Sequence, residues 1–128
     1  MASALEALKN DRYISLETFK KDGNGVKTPV WFVEVDNRII VFTDGTSYKV
    51  KRVGRNPKAR IAACSASGKV HGEWFDATAQ IVPAQDDLAR RGYEALQKRY
   101  GLQFTLLTVG AKLSGSFKRR TIIAIDPV

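Results

Sequence analysis

The sequence predicts a mainly β fold, a small closed antiparallel barrel with added helices, on three observations. Short alternating or wholly apolar stretches are separated by Gly, Asn and Asp turn signals, which is strand-and-hairpin patterning. One later stretch, residues 86–100, carries helical periodicity instead. At 128 residues the chain is long enough for one hydrophobic core, so residues 1–128 are read as a single domain. Five or six strands are best accommodated by closure, which removes exposed edges.

The elements follow in order. Met1 to Lys9 reads as a short helix with Leu5 and Leu8 on one face. Tyr13 to Lys20 alternates as a strand, with Ile14 and Leu16 on one side. Asp22-Gly23-Asn24-Gly25 is a turn, because Gly and Asn accept positive φ at little cost. Val26 to Val35 returns as a second strand, Asp36-Asn37 turns again, and Arg38 to Thr43 is a third. Its Ile39-Ile40-Val41-Phe42 run is apolar on both faces, as in a barrel wall. Thr46 or Ser47 caps a short helix reaching about Val53, with Val50 and Val53 facing the core and Gly54 and Pro57 as stops. Lys58 to Ser65 is a fourth strand and Val70 to Val82 a long fifth. The helix over Asp86 to Tyr100 carries Leu88, Gly92, Tyr93, Leu96 and Tyr100 as its apolar stripe, and Gly101 stops it. Leu102 to Gly115 is ambiguous between a second short helix and irregular chain. Arg120 to Asp126 is the last strand.

Composition limits the function classes. The hydrophobic fraction of 44% and charged fraction of 27% are ordinary for a globular protein. No apolar run approaches the roughly 18 residues of a membrane span. Met1 to Asn10 lacks the pattern of a signal peptide, and the lone Cys64 cannot form an intrachain disulfide. A cytoplasmic location is the expectation. With one His and one Cys, no metal site is expected, and His71 with Cys64 cannot supply one. Hydrolase and dinucleotide signatures are also missing, so an enzyme of this kind needs a cofactor to carry its reaction.

The net charge is +8, and its placement matters more than its size. Lys49, Lys51, Arg52, Arg55, Lys58 and Arg60 fall between Ser47 and Arg60 without an acid among them. A strand ends at Thr43, hydroxyl residues follow, and a helix begins with lysines in its first turns. Backbone N–H groups at a helix start attract a phosphate, and nearby ammonium groups add to that attraction. The competing reading is a solvated basic helix, and this feature alone leaves the two even. A second feature is Lys27-Thr28-Pro29-Val30-Trp31. Proline cannot donate in a ladder, so it belongs at an edge, at a bulge or beside something other than a strand, such as a planar ring; from this feature alone an ordinary bulge with Trp31 in the core is favoured.

In order and spacing, these stretches resemble the deazaflavin (coenzyme F420)-dependent branch of the pyridoxamine-oxidase-like family. The resemblance is carried by Thr28-Pro29-Val30-Trp31-Phe32, Phe42-Thr43, Ser47-Tyr48-Lys49-Val50-Lys51-Arg52, Arg55-Asn56-Pro57-Lys58-Ala59 and Gly72-Glu73-Trp74-Phe75-Asp76-Ala77-Thr78-Ala79. It spans Tyr13 to Val82 most distinctively. It implies a six-stranded antiparallel FMN-binding split barrel, a homodimer with cofactor grooves between subunits, and an F420H2-dependent reductase that passes hydride to a small-molecule acceptor. It places the ring along Thr28, Pro29, Val30 and Trp31, and the phosphate at Thr43, Ser47, Lys49 and Lys51, with Tyr48 beside them. Arg52 and Arg55 would meet the acidic tail of the deazaflavin.

His71 is the weak candidate for a proton donor, although a lone His at a strand start is more often structural. Cys64 is read as core. Trp31, Trp74 and Tyr48 are candidates for the acceptor pocket. FMN in the same fold is the alternative cofactor. A non-catalytic cofactor carrier and a nucleic-acid-binding barrel are the rival classes. The latter is disfavoured because the basic residues cluster on one helix rather than interleaving with exposed aromatics.

Overall fold

The computed structural model describes residues 4–83, 85–114 and 120–128. A short helix α1 (Ala4–Leu8) leads into the hairpin β1 (Tyr13–Phe19) and β2 (Gly25–Trp31), followed by β3 (Val33–Val35) and β4 (Arg38–Asp44). Helix α2 (Tyr48–Arg55) connects to β5 (Lys58–Cys64) and β6 (Phe75–Val82). Helices α3 (Asp87–Tyr100) and α4 (Leu102–Ser114) precede the final strand β7 (Arg120–Pro127).

The strands form one antiparallel sheet in the order β2-β1-β5-β6-β7-β4-β3. Its two outermost strands are consecutive in the chain, separated only by Phe32. The second strand expected over Val26–Val35 is therefore two segments. The first pairs with β1, ending at Tyr13 opposite Trp31, and the second pairs with β4, starting at Val33 opposite Ile40. A single run of chain thus serves both edges of the curled sheet. This accounts for seven strand segments where six strands were expected.

Two apolar clusters lie on the two sides of the sheet. Inside are Ile14, Leu16, Val30, Ile39, Val41, Ile61, Ile123 and Ile125, joined by Leu8 from α1 and Val53 from α2. Outside, Ile40, Ile122 and Ala124 are covered by Ala89, Leu96 and Tyr100 of α3 and Phe104 of α4. With clusters on both sides of the sheet, the alternation within β4 explains why that strand reads as apolar on both faces. Gly92 permits this packing, since a Cβ there would lie 2.6 Å from the Ile40 Cγ2. Asp86 caps α3 by accepting from the Leu88 amide at 2.9 Å.

Besides end shifts of one residue, three further stretches differ from the sequence reading or resolve it. The fifth strand begins at Phe75, and Val70 makes only an isolated bridge to Cys64. His71, Gly72 and Glu73 are all exposed, so no buried face holds that stretch in the ladder. Helix α2 runs through Gly54 to Arg55, ending where the Asn56 amide donates to the Arg52 carbonyl. The ambiguous stretch after Gly101 is helical as far as Ser114.

Candidate functional site

A cleft of about 320 Å³ opens where β2, the end of β4 and the start of α2 meet α3 and α4. Thr28, Pro29, Val30, Trp31, Thr43 and Lys49 all line it, so the structure brings together six of the residues singled out from sequence. Tyr13, Phe42, Leu96 and Phe104 complete the wall. Pro29 stands on an edge strand, and the β1–β2 register runs unbroken from Tyr13–Trp31 to Phe19–Gly25. The favoured bulge is therefore corrected to an edge position, where the proline needs no ladder partner on its open side.

The aromatic wall is fixed by ring contacts. Phe42 meets Phe104 edge-on at 5.6 Å and Tyr93 at 5.9 Å. Trp31 stacks on Tyr100 at 4.6 Å, with ring planes 11° apart, and Tyr13 lies 6.4 Å from it. The cleft therefore combines a flat apolar side with a polar end formed by Thr43 and Lys49. Thr43 is buried, and its hydroxyl lies 3.4 Å from that of Ser47. Ser47 is the residue before α2, and its side chain does not cap the helix. Lys49 is partly buried, which pushes its pKa below the ordinary lysine value; the neighbouring Arg52 acts in the same direction, and Asp44 opposes.

The remaining cations of α2 point elsewhere. Lys51, Arg55 and the exposed Tyr48 line a separate surface groove, with the Lys51 ammonium 5.1 Å from the Tyr48 ring centroid. Residues two apart on a helix do not share a face, and here Lys49 lines the cleft while Lys51 lines the other groove. Arg52 turns inward, and its Nε–H donates to the Thr18 hydroxyl at 2.6 Å. It is buried, a placement its charge had hidden in the sequence.

Other candidates lie outside the cleft wall. His71 is half exposed, with its Nε2 3.5 Å from Asp11 Oδ1, and is not among the cleft-lining residues. Trp74 is flanked by Lys27 at 5.2 Å and Arg60 at 4.9 Å. Cys64 is buried, and burial together with Asp11 raises its pKa, as suits a core thiol. Among the described residues no group of His, Cys, Asp and Glu is arranged to hold a metal. No helix among them is long and apolar enough to cross a membrane.

Sequence reasoning missed Tyr13, Phe42, Leu96 and Phe104 as wall residues. Tyr13 was within reach, because counting back through the hairpin turn sets it opposite Trp31. Phe104 was not, since α4 has no clear amphipathic period to orient it.

Comparisons with known proteins agree with this architecture. Rv2991, a conserved hypothetical protein of Mycobacterium tuberculosis, superposes with a TM-score of 0.71 at 20% identity, over 99% of this chain and 81% of that one. HutZ, the heme storage protein of Vibrio cholerae, gives 0.70 at 15% identity over 94% and 84%. An F420 reductase gives 0.64 at 17% identity over 100% and 96%. At these identities the likeness is one of fold. No curated protein matches the chain. The profile of the pyridoxamine 5'-phosphate oxidase family matches residues 2–128, a span that takes in every described strand and the three helices that bound the cleft. By that match the chain belongs to the pyridoxamine 5'-phosphate oxidase family.

Proposed function

We propose that this protein is an F420H2-dependent reductase that holds the deazaflavin in the β2–α2 cleft and acts as a homodimer on a small organic acceptor. The observation that carries the reading is the convergence of Thr28–Trp31 with Thr43 and Lys49 around one cleft. The donor set suits the group. The edge of β2, with its proline, and the flat indole of Trp31 accommodate a planar ring, while the Thr43 hydroxyl and the Lys49 ammonium suit a phosphate.

When bound, the deazaflavin supplies a hydride in a two-electron transfer. The chain's own residues bind and orient. Lys49 provides the counter-charge, Thr43 and Ser47 provide hydroxyls, and Phe42, Leu96 and Phe104 exclude water from the ring side. With His71 placed beside Asp11, the acceptor's proton is assigned to solvent.

A homodimer is favoured by two features. The cleft is at the small end of the about 300–1,000 Å³ typical of ligand sites, so one chain encloses little of a tricyclic ring. Leu102, Leu106 and Val109 of α4 are also 72%, 64% and 48% exposed, and their spacing places them on one helical face.

FMN in the same cleft is the second reading, and the position of Arg52 favours it. With that guanidinium turned to Thr18, fewer cations remain for an acidic tail that FMN lacks. Titrating the purified protein with the deazaflavin and with FMN in parallel, at two salt concentrations, tests both. Failure of both molecules to bind would remove the cleft assignment.

A further inference from the structure

The strand that serves both edges of the sheet breaks at Phe32, which belongs to neither the β2 nor the β3 ladder and is 3% exposed. Its peptide groups must find partners outside the sheet. Tyr100, in the last turn of α3 and 4% exposed, supplies them. Its hydroxyl accepts from the Phe32 amide at 3.1 Å. It lies 2.9 Å from the Phe32 carbonyl oxygen and 2.7 Å from that of Arg12, so the two acceptors share its single proton.

The same side chain touches the cleft wall. Its ring lies parallel to Trp31, the residue immediately before the break, and the Arg12 guanidinium stands 5.1 Å from its ring centroid. Burial raises the Tyr100 pKa above that of an ordinary phenol, so the hydroxyl keeps its proton at neutral pH. One residue therefore holds both the backbone at the break and the indole beside it.

We infer that Tyr100 is a positioning residue, fixing the plane of Trp31 at the cleft wall through its stacked ring and through its hydroxyl's hold on Phe32. The mechanical part stands on these contacts alone. The consequence for ligand binding rests on the ring site proposed above. Trp31 presents a preset surface, so a planar ligand need not order it on arrival. Relaxing the indole would weaken binding of the ring without touching Lys49 or Thr43.

The test uses the full chain with Trp74→Phe, which leaves Trp31 as its sole tryptophan. Tyr100→Phe keeps the ring and removes the hydroxyl, and Tyr100→Leu removes both. Near-ultraviolet circular dichroism and acrylamide quenching report Trp31 in the ligand-free protein, with far-ultraviolet dichroism confirming the fold. Tyr100→Phe is expected to weaken the tryptophan band and increase quenching, and Tyr100→Leu to abolish the band. FMN, used as the probe, should bind about five-fold more weakly to Tyr100→Phe, the equivalent of one ordinary hydrogen bond.

Unchanged Trp31 signals in folded Tyr100→Phe would overturn the inference, and that variant decides if Tyr100→Leu does not fold. Altered Trp31 signals with unaltered FMN affinity, or with a parent that binds neither FMN nor the deazaflavin, would uphold the positioning role and remove the ring-site reading.

Discussion

The Nε–H of Arg52 donates to the hydroxyl of Thr18 at 2.6 Å, tying α2 to β1 beneath the basic surface. Both side chains are buried, and among the described residues no buried side-chain nitrogen or oxygen lacks a partner. Arg52→Met should therefore destabilise the ligand-free protein. A hydrogen bond to a charged group contributes about 1.5–3 kcal/mol, and the hydroxyl left behind is unsatisfied. The melting temperature should fall by about 2–8 °C per kcal/mol lost. Adding Thr18→Val should recover much of the loss, since removing both partners leaves nothing unpaired. Thermal melts of the two single variants and the double variant give the cycle. Additive losses would show that the contact contributes little.

Lys49 and Lys51 should behave differently despite their proximity in sequence. Lys49→Ala removes the cation from the cleft and should reduce affinity for a phosphate-bearing ligand about ten-fold or more, the scale of one charge-assisted contact. Lys51→Ala, on the other groove, should have a small effect that disappears at high salt. Isothermal titration with FMN measures both. Equal losses would mean that the two lysines hold one phosphate, against their placement in separate grooves.

The depressed pKa of Lys49 also has a sign in stability. Its unfolded form binds a proton more readily than its folded form, so the penalty for burying the charge is fully present below the folded pKa. That penalty is relieved as pH rises from the folded towards the unfolded value. Lys49→Met should thus be more stable than the parent at neutral pH, with the difference shrinking in alkaline solution. Ligand affinity in the parent should fall over the same alkaline range as the ammonium is lost. Melting curves and FMN titrations between neutral and alkaline pH check the two trends. A stability difference that is independent of pH would assign the gain to packing instead.

Much of this arrangement was legible in the sequence, for physical reasons. The barrel strands announced themselves through alternation and Gly/Asn turns, and Asp36-Asn37 takes the positive φ angles such turns require. The cleft was legible where chemistry and backbone constraint coincide, at Pro29 and at Thr43 through Lys49. The break at Phe32 was not, because Trp31-Phe32-Val33 reads as an uninterrupted apolar strand and its partner Tyr100 lies 68 residues away. Nor could charge alone separate Lys49, Lys51 and Arg52, which point into the cleft, onto the surface and into the core. Helical phase decides that, and a helix of eight residues gives too little periodicity to set it.

Cofactor preference should depend on salt. Lys51 and Arg55 are exposed and lie beyond the cleft, where an acidic tail attached to a ring in the cleft could meet them. The deazaflavin should bind more tightly than FMN at low salt, and the margin should narrow as ionic strength shortens the screening length to about 8–10 Å. Arg55→Ala should narrow it further without altering the melting temperature. Tighter FMN binding under matched conditions would reverse the preference and make FMN the resident cofactor.

The oligomeric state should be governed by α4. Leu102, Leu106 and Val109 are exposed on one face while Phe104, on another, is fully buried against Phe42 and Tyr93. The helix is therefore anchored to the barrel through one side and presents an apolar stripe on the other. A second copy covering that stripe would also lie close to the cleft that Phe104 helps to wall. Leu106→Glu should leave the barrel folded, because the side chain is 64% exposed, yet place a carboxylate in the centre of the proposed contact. Light scattering across a dilution series should then show a monomer where the parent is a dimer. FMN affinity should fall with it, since a groove shared between subunits is incomplete in either alone. A monomeric Leu106→Glu that binds FMN as tightly as the parent would separate the site from the dimer and confine the ligand to one chain.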